Sequence, residues 1–287
     1  MVRRYAVAGD VPRAEKNGGM ARTRQTPGES LVDQGWALHD WWGGLAPDAF
    51  ARPSVLPGWD AHALLAHLDQ VLEGMLADLA RPTGQAPLAV DVLVGRYAGG
   101  APRIAAREIG RAGQHPPQAL LERFAAGLSA AEAVLVPGLD LPATVTSAGG
   151  PTSTVDLVAT RVVELVVHAD DLSRTFPELE PVPLRRPALG VACRALANVM
   201  ATRYPGRSVE VRVPPYAAVQ CSAVRDGVLD PGPTHTRGTP PNVVETDAVT
   251  FLRLCTGRTA WDVALASGKV AASGLRADLS EMVPLLA

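Results

Sequence analysis

The chain has 287 residues, 47% of them apolar, and a net charge of −2. This is enough apolar material for a packed core and excludes wholesale disorder. The near-neutral charge gives no electrostatic reason to expect a nucleic acid partner. No apolar run reaches the roughly 18 residues of a membrane span, so membrane insertion is not expected.

Residues 1–26 are rich in Arg, Gly and Pro and lack a periodic apolar face, so they are expected to form a disordered arm. They contain no apolar stretch suited to a signal peptide, and Met20 is an alternative start. Lys16 and Lys269 are the only lysines among the 27 basic residues, a bias that points to a high-GC genome of actinobacterial type. The three cysteines, Cys193, Cys221 and Cys255, form no CxxC pair and suit a reducing cytoplasm. Their apolar neighbours mark them as inert core thiols.

Leu31, Val32, Trp36, Leu38, Trp41, Trp42 and Leu45 recur at helical spacing across 28–46. His39, alone among them, is read as a packing or surface residue. Pro57-Gly58 makes a turn, and Asp60 is suited to cap a helix over about 60–81. Leu64, Leu65, Leu68, Val71, Leu72, Met75 and Leu79 form its apolar face, and His67 lies on or near it. His62 is rotated away and expected to be exposed. Further helices are predicted near 88–98, 102–112 and 117–135, with His115 in a loop. Residues 142–151 suggest a hairpin turning at Gly149-Gly150.

Thr152 or Ser153 can cap a helix over 154–174. Val155, Leu157, Val158, Val162, Val163, Leu165, Val166, Val167 and Leu172 make it apolar on most sides, so it should be buried. Glu164 and His168 interrupt that run. They are four residues apart and share one helix face. A buried carboxylate is costly unless paired or bound to a cation. A third ligand from another helix would complete a metal site with open positions. Asp171, three residues beyond His168, is near enough to orient its ring or to bind a water beside the metal. The ordinary alternative for Glu-x-x-x-His on a helix is a salt-bridged or solvated pair.

After Phe176-Pro177 the pattern changes. A helix at 185–203 leads to a strand at 209–213 and another at 216–223. A Gly/Pro/Thr-rich region follows over 226–241. A strand at 242–246 precedes a helix capped by Asp247 and ended by Gly257-Arg258. A short helix from Thr259, a strand near 269–273 and a final helix at 276–286 complete the unit. The expected organisation is therefore a helical domain over 27–176 and an α+β domain over 183–287.

Leu56-Pro57-Gly58-Trp59 with His67, followed by Arg161-x-x-Glu164-x-x-x-His168-x-x-Asp171-Leu172, resembles the mycothiol-dependent maleylpyruvate isomerase family. That resemblance implies a DinB-like four-helix bundle over the first domain. It also implies His67, Glu164 and His168 as ligands of a divalent metal, zinc by family habit, and mycothiol as a cosubstrate. The stretch from Asp247 to Leu254, Gly257-Arg258, and Gly268 to Gly274 is similar to the bacterial form of the sterol carrier protein fold. In the isomerase family the second domain carries a functional arginine in a Gly-Arg step. Arg258 is the matching position, implied as catalytic; the plain alternative is an arginine resting on the last carbonyls of a helix.

The expected function is a cytoplasmic, metal-dependent enzyme that uses a low-molecular-weight thiol, an isomerase or S-transferase acting on a small electrophile. The alternative is a sterol-carrier-like protein that binds a lipid or other hydrophobic ligand, its metal structural or vestigial. A zinc-containing regulator is less well supported, since no basic DNA-reading helix and no Cys near the His cluster is present.

Overall fold

The computed structural model describes residues 25–137, 140–232 and 240–286. The expected N-terminal arm lies outside the described residues up to 24. Thr26, however, belongs to the first helix as its N-cap. Its side chain accepts from the Glu29 amide at 3.1 Å, and Glu29 accepts from the Thr26 amide at 2.6 Å, a capping box.

Helices α1 (Pro27–Gly43), α2 (Ala61–Leu79), α5 (Pro117–Leu135) and α6 (Thr154–Thr175) pack together as a four-helix bundle. Asp60 caps α2 and Ser153 caps α6, each accepting from a backbone amide three residues on. Shorter helices α3 (Val90–Ala98) and α4 (Ala101–Ala112) and a hairpin of β1 (Thr144–Ser147) and β2 (Gly150–Ser153) flank the bundle. Leu65, Leu68 and Leu72 on α2 and Phe124 on α5 are fully enclosed. Each such side chain contributes about 1.5–3 kcal/mol by leaving water. Gly35 lets α1 and α5 approach closely, since a Cβ there would fall 2.2 Å from a Leu128 methyl carbon.

Helix α7 (Arg186–Arg203) joins the two halves. One side lies on α6 and α1, the other on a four-stranded sheet. That sheet runs β4 (Ala217–Cys221), β3 (Pro205–Val213), β7 (Val243–Thr246), β8 (Val270–Ser273). β3 pairs antiparallel with β4 and parallel with β7, and β7 pairs antiparallel with β8. A small hairpin of β5 (Ala223–Arg225) and β6 (Val228–Asp230) sits apart from it. Helices α8 (Ala248–Cys255) and α9 (Trp261–Ala266) complete the unit. The apolar core runs continuously from bundle to sheet.

Three expectations need correction. Residues 276–286 form turns, not a helix. Pro284 has no amide to donate, and the amides of Leu285 and Leu286 instead donate to the Cys255 carbonyl at 2.7 and 3.0 Å. Val155 is 68% exposed although it belongs to the apolar run of α6; apolarity does not say which neighbour covers a side chain. His62 is half-buried, edge-on to Phe50, with its Nε2 enclosed and unpartnered.

Candidate metal centre

Three of the predicted site residues meet. His67 comes from α2, and Glu164 and His168 lie one turn apart on α6. One potential ligand atom from each, two imidazole nitrogens and a carboxylate oxygen, lies within 4.8 Å of the others. His67 Nε2 and His168 Nε2 are each 3.3 Å from Glu164 Oε2. The two rings stand edge to face with centroids 5.0 Å apart. Both histidines are buried, whereas the Glu164 side chain is 35% exposed. The centre therefore has one open side.

The surroundings prepare these groups to face a cation. His168 Nδ1 lies 3.0 Å from Asp171 Oδ2. A proton held there leaves the Nε2 lone pair free toward Glu164, the arrangement a metal-binding imidazole uses. Burial would push the His168 imidazole down. Hydrogen bonds to Asp171 and Glu164, with their charge, outweigh burial and raise it above its ordinary value. Burial would push the Glu164 carboxyl up. His168 and then His67 outweigh it and hold the carboxyl well below the usual range. An ionised carboxylate facing two imidazoles calls for a positive charge between them, a proton or a metal ion. Two imidazoles and a carboxylate are borderline donors that fit a divalent ion and leave coordination positions free. Trp59, from the Leu-Pro-Gly-Trp turn, stands edge-on to His67 with centroids 5.5 Å apart.

Arg258 approaches through the second unit. Gly257 takes a positive φ of 71° just beyond α8, a conformation glycine adopts at no steric cost. The Arg258 amide donates to the Arg253 carbonyl at 2.7 Å and the Gly257 amide to Leu254 at 3.3 Å. This is a Schellman ending, and it explains the Gly-Arg step. The Arg258 guanidinium donates through Nη2 and Nε to Asp171 at 3.0 and 3.3 Å, and through Nη1 to the Thr256 carbonyl at 2.8 Å. It thus makes the ordinary helix-end contact and also reaches His168 by way of Asp171. Asp171 is fully buried, and its carboxyl is lowered to about 2: His168 and Arg258 overcome the opposing effect of burial.

The neighbouring residue makes a parallel link that the sequence did not disclose. Asp170 accepts two hydrogen bonds from Arg253 of α8, at 2.7 and 2.8 Å. Adjacent aspartates in an apolar helix were the available signal. Tyr97 was also missed, and no feature of its local sequence marks it. Its hydroxyl accepts from Arg161 at 3.0 Å.

No thiolate comes from the chain itself. Burial pushes Cys193 and Cys221 up to about 12, and holds Cys255 well above its ordinary value. Two cavities, of about 240 and 400 Å³, lie along Gly58–Ala63 with Ile109–Gly113 and along Pro82–Gln85 with Pro142–Thr144. Both are in the helical unit, and neither includes a member of the cluster.

Residues 31–173 match the family described as the mycothiol maleylpyruvate isomerase N-terminal domain, and residues 185–285 match the bacterial SCP ortholog family. Among solved structures, the mycothiol-dependent maleylpyruvate isomerase superposes with a TM-score of 0.52 at 16% identity, covering 86% of this chain and 91% of that one. A point mutant of that enzyme superposes with the same score and coverage at 17% identity. At such identities the likeness establishes a shared fold. No curated protein sequence matches the chain. Residues 31–173 therefore belong to the mycothiol maleylpyruvate isomerase N-terminal domain family, and residues 185–285 to the bacterial SCP ortholog family.

Proposed function

We propose that the chain is a zinc-dependent enzyme that uses a low-molecular-weight thiol, mycothiol by family, to isomerise a small electrophile with an activated double bond. The observation that carries this reading is the convergence of His67, Glu164 and His168 on one open-sided point. When bound there, a divalent ion supplies positive charge that favours the thiolate form of a thiol cosubstrate. His67 and His168 would hold the ion through imidazole nitrogens, and Glu164 would offset part of its charge. Asp171 keeps the His168 proton on Nδ1. The enclosed cysteines leave the nucleophile to the cosubstrate.

The chemistry balances without a further reagent. The thiolate sulfur bonds to one alkene carbon, and the displaced electron pair moves onto the conjugated carbonyl. Rotation about the carbon–carbon bond that was the alkene, now single, follows. The electrons then return, the C–S bond breaks, and the thiolate leaves with the trans isomer formed. Arg258 belongs to this reading as the cation on the second-unit side of the centre, acting through Asp171. The proposed arrangement is two domains, 27–176 and 183–287, with the centre carried by the first and steadied by the second.

Turnover of maleylpyruvate by the metal-loaded chain, with and without mycothiol, is the test. The expected result is isomerisation that requires the thiol and returns it unconsumed. Equal rates without thiol would overturn the mechanism.

A second reading, binding of a lipid-like ligand by the α+β unit, is favoured by the SCP match alone. It predicts that a fluorescent fatty acid binds the chain whether or not zinc is present.

A further inference from the structure

Arg253 enters the junction of the two units twice. Its guanidinium donates from Nε and Nη2 to the two carboxylate oxygens of Asp170, at 2.8 and 2.7 Å. Such a fork-to-fork pairing fixes direction as well as distance. Its carbonyl accepts from the Arg258 amide at 2.7 Å and from the Thr259 amide at 3.3 Å. The same residue therefore grips α6 and sets where the Gly257-Arg258 turn leaves α8. Helix α8 packs on α7 and reaches α6 with the side chain of Arg253, while Arg258 reaches it from the following turn.

Asp170 and Asp171 are consecutive, so their side chains leave α6 in directions about 100° apart. Two arginines meeting two such carboxylates hold α8 at two points, and one point alone would leave it free to turn. The two points differ in quality. Arg258 meets Asp171 at 3.0 and 3.3 Å and shares its donors with the Thr256 carbonyl, whereas Arg253 gives both of its bonds to Asp170. Arg174 also stands 3.8 Å from Asp171, but it lies on α6 itself and cannot join the units. Stability alone is a weak account of the Asp170–Arg253 pair. Asp170 is buried, and an enclosed ion pair does little better than apolar residues of similar size. What the pair supplies is a fixed approach for Arg258.

We infer that Asp170 and Arg253 are positioning residues of the metal centre. Their pairing holds α8 so that Arg258 meets Asp171, and Asp171 in turn keeps the His168 ring oriented. The inference rests on the metal-centred reading above and adds a dependence of that centre on the second unit, although its three ligands all come from the first.

Zinc affinity of the full chain, measured against a competing chelator where circular dichroism shows each variant folded, tests this. Arg253→Gln and Asp170→Asn should each weaken zinc by roughly 3- to 10-fold, less than loss of a group that touches the ligand itself. Arg253→Lys keeps the charge without the fork and should recover only part of the loss. In an Asp171→Asn background Arg253→Gln should have no further effect, because the path through Asp171 is already cut. Asp170→Asn serves if Arg253→Gln fails to fold. A merely structural pair would lower stability and leave zinc affinity as in wild type. That result overturns the inference, as does an equal loss in the Asp171→Asn background. Ring-nitrogen NMR of the metal-free chain at alkaline pH separates the inference from the reading beneath it. The His168 ring, assigned by its absence in His168→Ala, should show one Nδ1-protonated form in wild type and a mixture of tautomers in Arg253→Gln. If wild type holds no stoichiometric zinc but the ring responds in this way, the metal reading falls and the positioning role stands. If wild type holds zinc and the variants change neither its affinity nor the ring, the reverse is true.

Discussion

Helices α6 and α7 lie side by side and are both largely buried, yet they use burial differently. The enclosed residues of α7 are apolar or small: Ala188, Leu189, Val191, Ala192, Cys193, Leu196, Val199 and Met200. Those of α6 include Arg161, His168, Asp170 and Asp171, with Glu164 at the open side. A helix can join these layers while burying no charged residue, as α7 does. The polar residues of α6 are therefore a burden on the fold, offset by pairing. On the proposed reading they serve the metal centre, and the arginines of α8 and its C-terminal turn pair with Asp170 and Asp171.

The largest expected effects separate these roles. His168→Ala or His67→Ala should abolish stoichiometric zinc in the purified protein while the helical circular dichroism persists. Leu196→Ala in α7 should do the opposite. It should cost about 2–5 kcal/mol of stability as a core truncation, seen in chemical denaturation, with zinc still bound one per folded chain. Zinc loss in the α7 variant at full folding would break the comparison.

Asp171→Asn should weaken zinc by roughly 10- to 100-fold, since it replaces the charged acceptor that orients His168 with a neutral amide; a competing chelator measures this. Acid sharpens the same point. In the metal-free chain the Asp171 carboxyl is depressed from 3.8 to about 2. Its contribution is therefore present above about pH 4 and lost as pH falls through about 2. The amount is roughly 2 kcal/mol, and Asp171→Asn should flatten the stability profile there. The His168 imidazole is raised, so its proton stabilises the metal-free fold below 6.5 and that contribution fades as pH rises through the raised value. The same proton competes with metal, so zinc affinity should fall as pH drops below neutrality. The smallest effect is expected at Val155, where Val155→Thr on the exposed first turn of α6 should change stability by no more than about 0.5 kcal/mol.

Much of this was legible in the sequence because it is local. Capping residues Asp60, Ser153 and Asp247 and the helical spacing of apolar residues placed most elements. The i, i+4 relation of Glu164 and His168 is a property of one helix, and the family resemblance supplied His67 as their partner. What was not legible depends on contacts between distant segments. The Asp170–Arg253 and Asp171–Arg258 pairs join positions more than 80 residues apart. The Arg161–Tyr97 hydrogen bond likewise joins residues 64 positions apart. The C-terminal segment shows the reverse failure. Its apolar spacing imitated a helix, but Pro284 and the Cys255 carbonyl direct it into turns.

The central claim is that His67, Glu164 and His168 together hold one divalent ion. X-ray absorption at the zinc edge of the loaded full-length chain tests it most directly. The account predicts one zinc per chain with two imidazole nitrogens and light oxygen ligands at about 2.0–2.2 Å, and no sulfur. A sulfur shell at about 2.3 Å, or a zinc environment unchanged in His168→Ala, would contradict it.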